Sequence, residues 1–551
     1  MKLSLQFLII LTILLFSCKK DDPIDPKPVN AVIESVYIND HLIPGSRKIF
    51  NISPDSVIIE INFSAEITTS QNDIEKCYIG NNIGSDYTII PSSNKKQLIL
   101  SVNPTLKFST YYKLYILNGK YLGINLIDPY TYTFVTNLDT NPKFPLITDE
   151  ELLTLVQKQT FKYFWDYAHP TSGLARERSG SGDIVTSGGS GFGLMAILVG
   201  IERGFITRQE GYERLDKIVS FLNDSKTEKF HGAFPHWLNG SAGKAIAFSP
   251  KDNGADLVET AYLMQGLVTV REYFKNGSAQ EQELCNSITS LWEKVEWSWF
   301  RRGDQNVLYW HWSPTYGWDM NMQISGWSEC LIVYVMAASS PTYGIPKVVY
   351  TNGWARNGAF PMKNGKTFYG IVQPLSWDKG GPLFWAHYSF LGLDPRNLSD
   401  EFANYWDQNV AHSRINFEYC KANPKNYLGY SSECWGLTAC DVPNGYAANE
   451  PSNDRGVIAP TAALSSIAYT PKESMDAMRF FYYTVGDKLW GNYGFYDAFD
   501  LTNNWWAGSF LAIDQGPEIC MIENYRTGLL WDLFMSSTEV QSGLTTLGFS
   551  Y

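Results

Sequence analysis

The spacing of hydrophobic and polar residues changes twice along this chain. Behind Lys2, Leu3 to Phe16 is almost wholly apolar. That run is short of the ~20 residues that span a bilayer as a helix, and it predicts the apolar core of a secretory signal peptide. From Ala31 to about Asp139 the pattern is strand-like. Val57-Ile58-Ile59-Glu60-Ile61-Asn62-Phe63, Leu98-Ile99-Leu100-Ser101-Val102 and Tyr111 to Leu117 are β-rich runs parted by Asn, Ser, Gly and Pro turns. About a hundred residues of such strands predict a small sandwich. Past Asn141-Pro142-Lys143-Phe144-Pro145 the periodicity turns helical. Thr148-x-x-Glu151, Thr207-x-x-Glu210 and Ser278-x-x-Glu281 predict capping boxes, and Leu215, Ile218, Val219 and Leu222 form one stripe. Thr470-Pro471-Lys472-Glu473 repeats the signal with Pro at the first helical position, and Pro517 is expected to open the final helix toward Trp531 and Phe534. Roughly a dozen helical segments follow Thr148, and no fixed repeat period marks a solenoid. Long aromatic and Gly-rich loops suit a closed, double-layered helical barrel.

The first residues set the expected compartment. Leu15-Phe16-Ser17-Cys18 resembles a bacterial lipobox, so residues 1–18 read as a lipoprotein signal with Cys18 lipidated. Residues 19–30, with Pro23, Pro26 and Pro28, read as an extended tether. Lys19-Lys20-Asp21-Asp22 resembles the export tag of Bacteroidetes-type surface lipoproteins, which implies anchoring in the outer membrane with surface exposure. The remaining cysteines, Cys77, Cys285, Cys330, Cys420, Cys434, Cys440 and Cys520, contain no CxxC and predict buried free thiols, with Cys434–Cys440 as the one local bridge to consider. His231 and His236 lack the HExxH spacing, so neither a metal nor another cofactor is expected.

A formal net charge of −12 excludes a nucleic-acid partner, which calls for a basic stripe. It also argues against a polyanionic glycan, which calls for a positive groove. Aromatic residues make up 15% of the chain, and the faces of Trp and Tyr are what sugar rings stack on. Trp310-His311-Trp312 and Asn503-Asn504-Trp505-Trp506 lie in predicted loops, where there is less core to fill. Trp310, Trp312, Trp505 and Trp506 are therefore expected to be substrate platforms for a poly- or oligosaccharide.

The candidate chemistry starts at Asp252-Asn253-Gly254-Ala255-Asp256-Leu257-Val258-Glu259-Thr260-Ala261-Tyr262-Leu263. At helical spacing Asp252, Asp256 and Glu259 share a face that turns apolar at Tyr262 and Leu263. A carboxyl held among apolar neighbours keeps its proton toward neutral pH, the property a glycosidase needs to protonate a leaving oxygen. Glu259 is the expected general acid. Asp256, Glu329 before the apolar run Leu331 to Val335, and Asp183 in a loop expected to be mobile (Ser179 to Gly193) are the secondary acids. Asp454, Asp497, Asp500 and Asp514 precede helices, where several acids serve as caps.

Phe161-Lys162-Tyr163-Phe164-Trp165-Asp166-Tyr167, Gly173-Leu174-Ala175-Arg176-Glu177-Arg178 and Gly188-Gly189-Ser190-Gly191-Phe192-Gly193 carry a resemblance to a known family. So do Asp256-Leu257-Val258-Glu259-Thr260, Val457-Ile458-Ala459-Pro460-Thr461, Tyr493-Gly494-Phe495-Tyr496-Asp497 and Ile513-Asp514-Gln515-Gly516-Pro517 with Glu523-Asn524-Tyr525-Arg526. On these motifs residues 146–551 resemble the glycoamylase-like family of bacterial proteins, and residues 31–139, ending in Tyr130-Thr131-Tyr132-Thr133-Phe134-Val135-Thr136, resemble a bacterial Ig-like domain. The resemblance implies a six-fold α/α barrel with an acidic site at its mouth, and an endo-β-1,2-glucanase thought to invert the anomeric centre. It implies Glu259 as the motif glutamate, Asp454 as the second catalytic carboxylate and Arg176 as a substrate contact. A non-catalytic glycan-binding lipoprotein, a polysaccharide lyase and hydrolysis of another glucan such as starch stand as the alternatives.

Overall fold

The computed structural model describes residues 27–45, 48–69 and 75–551, in two compact units that part between Asp139 and Thr140. The signal segment, Cys18 and most of the tether lie outside the described residues. Among the described residues no helix is long and apolar enough to cross a membrane, and all seven cysteines are buried free thiols, Cys434 and Cys440 included.

The first unit is a β-sandwich. A five-stranded antiparallel sheet runs in the order His41–Leu42, Ile33–Ile38, Ile58–Phe63, Gln97–Val102, Tyr87–Ile90. A second sheet orders Ile49–Ile52, Tyr130–Thr136, Tyr111–Ile116 and Cys77–Ile79, with its first pair parallel. Period-two alternation buries one side of each strand. Ile59 and Ile61 face register partners Leu100 and Leu98, and they share one apolar core with Tyr112, Leu114 and Ile116 of the other sheet.

The second unit is helical: α1 (Asp149–Trp165), α2 (Ser187–Glu202), α3 (Arg208–Asn223), α4 (Leu257–Phe274), α5 (Ala279–Glu293), α6 (Leu331–Ser339) and α7 (Lys347–Asn352). There follow α8 (Tyr405–Ala422), α9 (Pro460–Ser465), α10 (Pro471–Arg479), α11 (Gly486–Leu489), α12 (Ala512–Arg526), α13 (Leu529–Met535) and α14 (Thr538–Leu547). All three expected capping boxes form, with Thr148, Thr207 and Ser278 each accepting from the third helical N–H while that residue's glutamate accepts in return. Two expectations fail. The Thr470 side chain does not cap α10; its hydroxyl donates to Ser466 O instead. Pro517 lies inside α12, which begins five residues earlier at Ala512, and the C-terminus is three helices rather than one.

Largely buried elements form a closed inner ring. α2 packs on α4, α4 on α6, and α6 on the short 3-10 turn Tyr388–Phe390, where Ser389 Oγ accepts from Ile332 N (3.1 Å). From His387 the ring passes through a 3.0 Å hydrogen bond to Ser466 beside α9, then α9 packs on α12 and α12 on α2. Amphipathic helices cover it outside, α1 against α12 and α2, α5 against α4, α14 against α6 and α10 against α9. This is the six-fold α/α barrel.

The glycine-rich run is the main departure at the site. Ser187–Gly193 is the first half of α2 rather than a mobile loop. Every residue from Ser187 to Gly200 is buried, so the helix has no polar face and leaves no amphipathic period to read. The glycines are there for contact between backbones. A Cβ on Gly191 would lie 2.2 Å from Tyr262 O, and one on Gly266 2.2 Å from Gly191 O. α2 and α4 thus touch backbone to backbone, which brings the start of α2 against Glu259.

Candidate active site

Two short antiparallel pairs gather the site at the N-terminal ends of α2 and α4. Ile184–Thr186 pairs with Trp237–Asn239, which puts Thr186 beside His236. Ala255–Asp256 pairs with His311–Trp312, which puts His311 across from Asp256. Asp256 is the N-cap of α4, its Oδ1 accepting from Val258 N (3.0 Å) and Glu259 N (2.9 Å). Its Oδ2 takes a hydrogen bond from His236 Nδ1 at 3.0 Å. Asp252 lies 3.6 Å from His311 Nε2 and 4.0 Å from His236 Nδ1.

Glu259, only 6% exposed, projects from the first turn of α4. Its Oε2 accepts from Gly188 N (2.8 Å), a free N–H at the start of α2, and from Thr186 Oγ1 (3.2 Å). A Cβ on Gly188 would stand 2.6 Å from that oxygen, so the close approach requires glycine. Burial raises the Glu259 pKa; the His236 charge and the two donors pull it back without cancelling the rise, and Asp256 adds to it. For His236 burial opposes protonation, yet the negative charges of Glu259, Asp256 and Asp252 outweigh it and lift the imidazole to about 9. Asp256 goes the other way: burial alone would raise it, and His236 and His311 hold it below the ordinary carboxylate value. Asp252 is raised, by burial first and by Asp256 next.

These groups border a cavity of about 440 Å³ whose wall includes Glu259, His236, Tyr262, Trp310, Glu329 and Tyr388. Glu329 is half-buried, and its carboxyl is raised to about 7, by burial first and then by the charges of Glu259 and Asp256. The wall also carries Glu177 and Arg178. Arg178 pairs with Glu177 (3.0 Å) and Asp441 (2.9 Å), and Asp441 N donates to Asp497 Oδ2 (2.7 Å). Asp497 and Asp514 are two buried carboxyls beside wall residues Leu511 and Ile513, both raised by burial, and each leaves one oxygen without a hydrogen-bond partner. His236, Asp252 and Asp256 offer three ligand atoms within 4.8 Å of one another, a set that could hold a cation. The 3.0 Å hydrogen bond between His236 and Asp256 serves the same charge balance with a proton.

Of the residues expected from sequence, the structure brings Glu259, Glu329 and Trp310 to the cavity, with Asp256 immediately beneath. The others stand apart, each for a visible reason. Asp454 is off the cavity wall, its carboxylate taken by Tyr419 Oη (2.9 Å), Tyr430 Oη (2.8 Å) and Gly456 N (2.9 Å). It fastens the turn before α9. Asp183 is largely exposed and hydrogen-bonded to His169 (3.1 Å), which holds its pKa down. Arg176 points back to the carbonyls of Gly182 and Tyr167, and Arg178 reaches the cavity in its place. Trp312 packs with Trp299 and His231. Trp505 and Trp506 form a two-residue strand in which Trp506 stacks on Phe499 at 5.3 Å. Sequence reasoning missed His236, Arg178 and the Asp497–Asp514 pair. A histidine in a Gly- and aromatic-rich loop before the Asp-x-x-x-Asp-x-x-Glu run was the available signal for the first.

Comparison with known proteins follows the same region. The family model described as "Putative glucoamylase" matches residues 321–538. An exo-β-1,2-glucooligosaccharide sophorohydrolase of Parabacteroides distasonis is 48% identical over 418 residues, covering 72% of this chain and 58% of that protein's length. The endo-β-1,2-glucanase of Chitinophaga pinensis, solved with sophorotriose and glucose, is 54% identical over 74% of this chain and 99% of its own, with a TM-score of 0.72. A β-1,2-glucanase structure from Parabacteroides distasonis is 39% identical over 95% of this chain and 73% of its own, with a TM-score of 0.71.

Proposed function

This chain belongs to the glycoamylase-like family of glycoside hydrolases, and from that premise we propose that it hydrolyses β-1,2-glucans. One observation carries the reading: Glu259 faces the cavity with its proton favoured by burial, while Gly188 N–H and Thr186 Oγ1 are placed to hold the carboxylate once the proton has left, and its charge then favours protonated His236. A general acid needs both properties, because it must give up a proton to the leaving oxygen and then carry the charge. Aromatic walls at Trp237, Trp310 and Tyr388 suit the faces of neutral sugar rings. For the water-activating partner of an inverting reaction, which stands about 6.5–9.5 Å from the acid, Glu329 replaces Asp454 in our reading. The Asp497–Asp514 pair behind the wall is the second choice.

The test is a product assay of the purified protein on β-1,2-, β-1,3-, β-1,4- and α-1,4-glucans. Cleavage of the β-1,2-linked polymer alone, with the new reducing ends inverted, is the expected result. A ladder of intermediate lengths gives endo action, which we favour, and a single disaccharide product gives exo action. Release from starch, or binding without cleavage of any glucan, contradicts the proposal. We also propose lipid anchoring through Cys18: Cys18→Ala should leave activity intact and release the protein from the membrane fraction, and retention after a carbonate wash contradicts it.

A further inference from the structure

Most tryptophans of the helical unit are buried or half-buried. Trp377 is the exception, 52% exposed and the one tryptophan in that class among the described residues. It stands edge-to-face with Phe360, itself exposed, at 4.9 Å between ring centroids and 84° between planes. The segment that presents them is closely tied down. Buried Gln373 donates through Nε2 to Leu375 O (2.7 Å) and Trp377 O (2.5 Å). Ser376 N donates to Pro361 O (2.8 Å), and Leu375 N to the side chain of buried Gln408 on α8 (2.8 Å). A rotatable indole on a slack loop would need no explanation. An indole on a backbone pinned by a buried amide network, and packed against exposed Phe360, keeps apolar surface in water.

The patch is tied to the cavity wall in two ways. Along the chain, Gly380 N donates to Trp377 O (2.9 Å), and four residues later Phe384 is cavity wall. Across the chain, Ser452 Oγ donates to Asp378 O (3.4 Å), just past the hairpin Ala439–Val442 and Gly445–Ala448, which supplies Ala439, Tyr446 and Ala448 to that wall. Beside the ring, Lys366 and Asp378 pair at 2.8 Å and offer polar atoms to hydroxyls without a net charge. Flat aromatic surface, a neutral polar pair beside it and attachment to the cavity wall fit a neutral sugar chain better than an ionic partner.

We propose that Trp377, with Phe360 beside it, is an accessory platform for a glucan chain extending out of the catalytic cavity, so that it favours long substrates over short ones. This rests on the glucan-hydrolase reading of the cavity. The experiment compares wild type, Trp377→Ala, Trp377→Phe and Phe360→Ala on long β-1,2-glucan and on short β-1,2-gluco-oligosaccharides. A single aromatic contact of this kind supports a loss of roughly 3–10-fold in kcat/KM on the polymer for Trp377→Ala. The loss should fall in KM, with kcat and the rate on short oligosaccharides unchanged, and Trp377→Phe should recover part of it. An unchanged polymer KM, or an equal loss on short substrates, overturns the proposal. Should wild type cleave no β-1,2-glucan, the cavity reading fails by itself, and the platform is judged by retardation in native gels containing each glucan. Equal mobility of wild type and Trp377→Ala in every gel overturns it, as does a change of oligomeric state in the variant, which would make the patch a contact between copies.

Discussion

Helices α4 and α12 both pack against α2, and each carries a buried glutamate with its proton favoured, but only one of the two can use it. Glu259 on α4 meets a backbone N–H, a threonine hydroxyl and the charge of the neighbouring His236 imidazole, and it opens on the cavity. Glu518 on α12 is fully buried, accepts only from Thr160 Oγ1 (2.8 Å) and leaves Oε2 without a partner. Burial lifts its carboxyl to about 8, with no cation to stabilise the charged form. A raised acid by itself therefore marks burial. A working acid also needs donors arranged for its anion and a route for substrate.

The comparison is sharpened most by the cavity carboxylates. Glu329→Gln should lower turnover by about 10²–10⁴-fold if it activates the water, measured as kcat on β-1,2-glucan with the melting temperature taken alongside. If Asp514→Asn does this and Glu329→Gln does not, the base passes to the buried pair. Asp454→Asn should leave turnover within a few-fold of wild type and lower stability by roughly 1–3 kcal/mol, because two tyrosine hydroxyls lose a charged partner. A 10²-fold fall in its kcat would restore Asp454 to the mechanism.

The contact that joins α2 to α4 comes next. Gly191→Ala places a methyl against Tyr262 O and should destabilise by roughly 1–3 kcal/mol or more, read by denaturant unfolding. This helix also shows where the sequence stops being legible. Capping boxes, the strand alternation of Ile59–Phe63 and the inward turn of α4 at Tyr262 follow from local spacing, and they identify Glu259. The closure of the inner ring does not, because the inner helices are buried on nearly all sides, polar residues included, and have no amphipathic period to betray their orientation. Glycine in Gly188-Gly189-Ser190-Gly191 reads locally as loop, and only the partner backbone across the contact makes it helical. Asp454 and Glu329 look alike along the chain, and long-range partners separate them: Tyr419 and Tyr430 cover the first, while the second is left facing the cavity.

Two pH effects test the electrostatics. His236→Asn removes the charge that lowers Glu259, so the Glu259 pKa rises and the alkaline limb of kcat moves to higher pH; an unmoved limb breaks that link. Glu518 gives the smaller effect. Its folded pKa of about 8 lies above the ordinary glutamate value, so its contribution to stability is complete below about 4.3 and is lost as pH rises through 8. Glu518→Gln, which keeps an acceptor for Thr160, should flatten the fall in melting temperature between pH 5 and 8 and leave turnover unchanged.

The most direct measurement is Glu259→Gln assayed for turnover on β-1,2-glucan and for melting temperature on one sample. An acid that protonates the leaving group predicts turnover down by about 10²–10⁴-fold with the fold intact. Near-normal turnover on a glucan that wild type cleaves would contradict the account and leave Glu259 as a buried brace between α2 and α4.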